Sequence, residues 1–212
     1  MMQEQPADNA ASSNPRHRIL QATIQLYREI GYGKTTVADI AHGAAMSPAN
    51  VYRFFRSKRQ IQEVVVAELL DEVFQAAANT AHGSGSFIRL AAILRTISLL
   101  HECRQATDNR LHELVAVATD ANWPIVLAYV DRIVGLLAPM IAAGQARGEI
   151  REGSAAMLAR CLLAAMNAHV MVRDASAAAV RPGFDEMMGF CVNALCLPLS
   201  SIAIDRRPVG QN

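Results

Sequence analysis

Three helix-start signals fall within the twenty-three residues from Thr36 to Lys58, TVADIAHGAAMSPANVYRFFRSK. Thr36 precedes Val37, and a threonine hydroxyl there accepts one of the backbone N–H groups that a helix leaves unpaired at its start. Ser47 precedes Pro48, whose missing N–H costs nothing at the first helical position. Ser57 precedes Lys58 and an apolar run that opens at Ile61. The spacing predicts two short helices and the start of a third. In the first, Val37, Ile40, Ala41 and Ala44 share one face; in the second, Val51 and Phe55 point back at the core, with Ala49, Asn50, Tyr52 and Arg53 on the other side. Two helices joined so closely cannot pack antiparallel. They must cross steeply, as a helix-turn-helix over residues 36–55.

No Asp or Glu lies between Asp39 and Glu63, whereas Arg53, Arg56, Lys58 and Arg59 do. Charge alone fits an ordinary solvated basic face. Its coincidence with two capped short helices points to double-stranded DNA as the partner. The basic character is local. Residues 15–70 hold eight basic against four acidic side chains, while residues 71–212 hold twelve against thirteen. A polyanion would bind at the N-terminal end.

Over half of the 212 residues are apolar and only 5% are aromatic. Alanine and leucine dominate and strand-like alternation is almost absent, so the fold class is all-α. Cys103, Cys161, Cys191 and Cys196 form no Cys-x-x-Cys pair and lie in apolar helical context. Reduced, buried thiols in a cytoplasm are the expectation, and a redox role for one of them is the minority reading. There is no apolar signal core and no uncharged stretch long enough to span a bilayer, so no membrane partner is expected.

In chain order, residues 1–12 read as a disordered arm. Arg16 and Arg18 either reach a phosphate from its end or simply fray. A first helix runs from Pro15 to Ile30 with Ile19, Thr23, Leu26 and Ile30 inward, and Gly31 ends it. A fourth helix, Ser57 to about Ala81, is long enough to bridge two domains. The segment His82-Gly83-Ser84-Gly85-Ser86 is the clearest linker. Beyond it come helices from Phe87 to Cys103 and from Arg110 to Thr119, separated by the polar stretch Arg104 to Asn109, and one from Trp123-Pro124 to about Arg147 with a kink at Pro139. Ser154 caps a helix to about Asp174. Asp185 caps the last helix, which Pro198 ends. Residues 201–212 read as a mobile tail. The DNA-binding domain takes residues 13–73 and a helical ligand-binding and dimerisation domain takes residues 74–200.

Gly31-Tyr32, Thr35-Thr36-Val37, Ile40-Ala41, Val51-Tyr52-x-x-Phe55 and Ser57-Lys58 stand in one order. Over about residues 13–73 this resembles the DNA-binding domain of the tetracycline-repressor (TetR) family. Met46, Pro48 and Arg59 depart from the family's usual residues without disturbing the geometry. The phrase Gly144-x-x-x-Gly148-Glu149 is similar to one that closes the family's long seventh helix.

The second helix of such a motif lies in the major groove. There Asn50 suits adenine and Arg53 suits guanine, while Pro48 and Ala49 offer methyl or shape contacts. Thr36, Ser47, Tyr52 and Lys58 suit phosphates, and the resemblance implies the same role for Thr36, Tyr52 and Lys58. It further implies a homodimer on a palindromic operator, and a small-molecule effector bound among helices four to eight. Phe87, Leu94, Ile97, His101, Trp123, Tyr129, Met140, Met166 and His169 are the candidate lining, although each also reads as core packing. So few charges favour a mostly hydrophobic effector. Leu158, Leu162, Met188, Cys191 and Leu195 on the last two helices are the candidate dimer contacts. The alternative is an intramolecular core.

No Gly-x-Ser-x-Gly, P-loop, Gly-x-Gly-x-x-Gly or His-Glu-x-x-His occurs, so no catalytic residue or cofactor is expected. His101 and Cys103 stand two apart on a helix and cannot share a face, so no metal is expected either. The chain reads as a ligand-responsive transcriptional repressor. The competing readings are a ligand-independent architectural DNA-binding dimer and an enzyme built on the helical half.

Overall fold

The computed structural model describes residues 14–81, 85–172 and 182–196. The arm at 1–12, most of the linker, the stretch between Val172 and Pro182, the end at Pro198 and the tail at 201–212 lie outside them. Every regular element among the described residues is a helix. They are α1 (Pro15–Ile30), α2 (Val37–Gly43), α3 (Pro48–Phe54), α4 (Lys58–Asn79), α5 (Ser86–Thr107), α6 (Asn109–Asp120), α7 (Pro124–Ala146), α8 (Ala155–Ala165), α9 (Asn167–Val170) and α10 (Phe184–Cys196).

Helices α1 to α3 close a small core around Ile19, Tyr27, Ile40, Val51, Phe55 and Ile61, all fully buried. The inward face of α1 differs from expectation. It is formed by Ile19, Leu20, Thr23 and Tyr27, and Ile30 is 41% exposed. Counting aliphatic residues alone rotated the stripe. Tyr27 brings more buried area than Ile30, and its ring meets Tyr32 edge-on at 6.5 Å. Helix α4 is the hub, packing against α1, α5, α6 and α7.

The polar stretch at Arg104–Asn109 does not separate two helices as expected. Helix α5 runs on to Thr107, whose hydroxyl donates to the Cys103 carbonyl at 2.8 Å, and only Asp108 leaves the helix. The long helix expected from Ser154 to Asp174 is broken. It stops at Ala165 and resumes as α9 at Asn167, a weak helix former. Asp185 lies in the first turn of α10 and is not its cap; Glu186 reaches back to accept from the Gly183 N–H at 2.8 Å.

Helix α7 continues through Pro139 and is long and apolar enough to cross a bilayer by length and composition. It is a core helix all the same. Asp131 and Arg132 at its middle pair with Arg160 (2.8 Å) and Asp71 (2.6 Å), and its buried face packs on α4, α5 and α8. At its end the Gly144 carbonyl accepts from the N–H groups of Arg147, Glu149 and Ile150, and Gly148 takes the left-handed conformation (φ 71°) that lets the chain turn. Glu149 accepts from the Ser86 N–H at the start of α5 and from Arg147. The two ends meet directly, because Ser86 Oγ donates to the Met140 carbonyl at 3.1 Å. Helices α5 and α7 therefore run antiparallel.

Candidate nucleic-acid interface and its links to the helical body

All three start signals form. Thr36 accepts from Asp39 N–H and Asp39 accepts from Thr36 N–H, a reciprocal capping box. Ser47 accepts from Asn50 N–H at 3.3 Å, and Ser57 from Gln60 N–H at 3.1 Å. Between α2 and α3, Met46 N–H bonds the Ala41 carbonyl and Ala45 N–H bonds the His42 carbonyl, the two bonds of a Schellman turn. The left-handed residue in that turn is Ala45 (φ 53°), not a glycine.

This turn holds α3 with Val51 buried and with Pro48, Ala49, Asn50, Tyr52 and Arg53 exposed on the other side. Tyr52 is 51% exposed. Lys58 folds back over the α1–α2 turn, its Nζ 3.4 Å from the Gly33 carbonyl. The Thr36 hydroxyl already donates to Asp39 at 2.7 Å, and this bond, the largest cause, lowers the Asp39 pKa. The basic residues then divide. No ion pair engages Arg53 or Arg56 among the described residues. Arg18 is spent on the Ala44 carbonyl (2.5 Å), and Arg16 lies over the Phe55 ring at 5.2 Å. Arg59, counted with the basic face from sequence, instead stacks 3.2 Å above the Trp123 ring and pairs with Glu63.

Trp123 precedes α7, so that stack joins the start of α4 to the helical body. Two further links join α1 to the α5–α6 turn. Arg28 pairs with Asp108 at 2.6 Å, and Arg110 donates to the Arg28 and Glu29 carbonyls at the C-terminal end of α1, where a cation is favoured. A fourth runs from α5 to α4, with Arg104 Nη2 donating to the Leu69 carbonyl (3.1 Å) and to Glu72 (3.2 Å). Sequence reading treated Arg104 as part of a polar separator. Its position three residues after His101 was the available signal.

Of the nine candidate effector residues, Leu94, Ile97, His101, Trp123, Tyr129, Met140 and Met166 are buried, and Phe87 and His169 are half-buried. None lines either of two surface cavities. One, about 300 Å³, lies between α6, α7 and α8 and includes Asn122, Val126, Val130, Arg160 and Leu163. The other, about 200 Å³, is a groove between α8 and α10. Three of the nine carry a buried polar atom without a hydrogen-bond partner among the described residues: His101 Nδ1, Trp123 Nε1 and Tyr129 OH. Burial first, then Arg104 and His112, holds the His101 pKa down to about 3. Burial raises that of Tyr129 and lowers that of His112.

The candidate dimer residues Leu158, Leu162, Met188, Cys191 and Leu195 are all buried within the single chain, and all but Met188 line the α8–α10 groove. The outward faces of these helices carry Met157 (58% exposed) and Phe190 (68% exposed) instead. Both helices are apolar on two sides, so periodicity did not say which side turns outward.

Residues 19–65 match the family described as bacterial regulatory proteins, tetR family, and residues 88–188 match the tetracyclin repressor-like C-terminal domain. The HTH-type transcriptional regulator BetI of Escherichia coli is 27% identical over 82 residues, 37% of this chain and 42% of that protein, so the match spans under half of BetI. An uncharacterised HTH-type transcriptional regulator of Mycobacterium bovis is 28% identical over 155 residues, 71% of this chain and 73% of that one. Among solved structures, Thermus thermophilus FadR, a TetR-family repressor in complex with lauroyl-CoA, superposes with a TM-score of 0.60 at 18% identity, covering 93% of this chain and all of the other. AibR in complex with isovaleryl coenzyme A and operator DNA gives 0.54 at 17% identity, covering 86% and 98%. The architecture, the paired domain matches and the capped helix-turn-helix agree: the chain belongs to the TetR family of helix-turn-helix transcriptional regulators.

Proposed function

We propose that this chain is a homodimeric, sequence-specific repressor that acts in the cytoplasm, binds a palindromic operator through the major groove, and is released by a small, mostly apolar effector. It acts as a regulator, not as an enzyme. The observation that carries the reading is the exposed row Pro48, Ala49, Asn50, Tyr52 and Arg53, held on α3 by two capped turns while Val51 and Phe55 are buried behind it. Asn50 and Arg53 read bases; Ser47, Tyr52 and Lys58 hold phosphates, as do the N–H groups at the start of α2 beside Thr36.

One recognition helix covers a short site, so a second copy is needed. The outward faces of α8 and α10, with Met157 and Phe190, are the surface we assign to that contact, and the inward stripe with Leu158, Leu162, Met188, Cys191 and Leu195 supports it from behind. The domain boundary is placed near residue 73, within α4. The effector is placed in the body formed by α4 to α8, and the lauroyl-CoA bound by FadR and the isovaleryl coenzyme A bound by AibR support that choice.

Fluorescence anisotropy with DNA from upstream of the protein's own gene tests the reading, with sedimentation giving the stoichiometry. Two chains per site and at least a thousandfold preference over scrambled DNA are expected. Equal binding to scrambled DNA would favour the architectural dimer instead.

A further inference from the structure

Four polar side chains converge inside the helical body at the end nearest the DNA-binding helices. His101 and Arg104 stand three apart on α5 and so share a face. His112 comes from α6 and Tyr129 from α7, both packed against α5 in sequence-distant contact. His101 and Tyr129 are each at least nine-tenths buried. His101 Nδ1, His112 Nδ1, Tyr129 OH and Arg104 Nη1 all lack a hydrogen-bond partner among the described residues. Each unpaired buried group of this kind costs roughly 1–3 kcal/mol, and four in one place call for a complement. The electrostatics bind them into one cluster, since Arg104 acts on both histidines and on Tyr129, and His112 acts on His101.

The chemistry of the complement follows from the donors. Arg104 is the cluster's one cation and can only donate. Its Glu72 partner sits at the rim, 68% exposed, and takes Nη2, which leaves Nη1 facing inward. Tyr129 has an O–H to give, and each neutral histidine can offer an N–H in the suitable tautomer. A metal ion is disfavoured by the guanidinium charge. An oxygen anion accepts from every member of the set. Along the antiparallel pair α5 and α7, Leu94 and Ile97 precede His101 while Ile133 and Leu137 follow Tyr129, all fully buried. The surroundings beyond the polar end are therefore aliphatic.

We infer that the effector is an organic acid whose carboxylate seats among His101, Arg104, His112 and Tyr129, with its apolar part lying between α5 and α7. This rests on the effector-responsive reading above. The carboxylate would take Nη1 of the same guanidinium whose Nη2 grips Leu69 and Glu72 of α4, which couples the seat to α4. A ligand that binds better when that grip is released shifts the chain away from the DNA-bound arrangement.

The test uses the full chain and its operator fragment. Hexanoate, decanoate and benzoate are compared with hexanol, decanol and benzyl alcohol and with decanoyl-CoA, reading affinity by calorimetry and operator release by anisotropy. At least one acid is expected to bind and release DNA, with its alcohol weaker by tenfold or more. Tyr129→Phe, which keeps the ring, should lose about tenfold in affinity for the acid, and Arg104→Met more. Equal binding of acid and alcohol, or unchanged acid affinity in both variants, overturns the inference. So does binding of decanoyl-CoA with no acid bound, which would put a thioester carbonyl in the cluster. Release by an alcohol alone would overturn the carboxylate while leaving the effector-responsive repressor intact.

Discussion

Ala45 occupies the one left-handed position in the turn that sets α3 against α2. A Cβ there is disfavoured by about 1–2 kcal/mol relative to glycine, partly offset by glycine's greater freedom in the unfolded chain. Ala45→Gly should therefore raise stability by up to about 1 kcal/mol, measured as a higher urea midpoint at unchanged slope. At the DNA surface the two cations separate by role. Arg53→Ala should relax preference at one base position by about 1–3 kcal/mol. Lys58→Ala should weaken all sites alike and flatten the dependence of log affinity on log salt by about one unit. Equal effects of both variants on every sequence would remove the base-reading role from Arg53. At this scale the sequence was legible where chemistry is local. The serine before Pro48 caps α3 as its identity demands, because a cap needs only its next three residues. Arg104 reads from sequence as part of a polar stretch between helices, because its partners Leu69 and Glu72 lie on α4 and only packing brings them near.

Helix α3 follows its signals closely, and so do α1 and α2, because each starts at a side-chain cap and each is short. Longer elements escaped by the same logic. Nothing local marks the break at Met166 beyond one asparagine, and the polar residues at the end of α5 read as a loop although they decorate an exposed helix. The end of α7 shows what its glycine phrase does. A Cβ on Gly144 would stand 2.7 Å from Ile150 Cδ1 and 2.8 Å from Ser86 Oγ. Gly144→Ala should lower stability by about 1–3 kcal/mol, seen as a reduced thermal midpoint, since Ile150 and Ser86 are both anchored and cannot easily yield. Thermal midpoints equal to that of the native chain would show that the turn is looser than its contacts imply.

For the whole molecule, acid should act through the buried histidines. In the unfolded chain His101 takes up a proton as pH falls through about 6.5, but in the folded chain only near 3, because burial, Arg104 and His112 all oppose the charge. The unfolded state thus binds more protons across that window, and stability falls as pH falls. His112 is shifted the same way. Urea midpoints between pH 7 and 4.5 should drop less steeply in His101→Gln than in the native chain. Glu149 contributes in a separate window. Its pKa is lowered to about 2, chiefly by Arg147, so its contribution is present above the ordinary carboxylate range near 4.5 and is lost as pH falls towards 2.

Helix α4 is unbroken over 22 residues, about 33 Å at 1.5 Å per residue. Its first turn is clasped by Arg59 on Trp123, and its middle by Arg104. A rigid rod of that length is a lever. A tilt of about 5° at one end swings the other by about 3 Å, close to the 3.4 Å rise between successive base pairs. A tilt of that size would carry α3 about one rung along the groove.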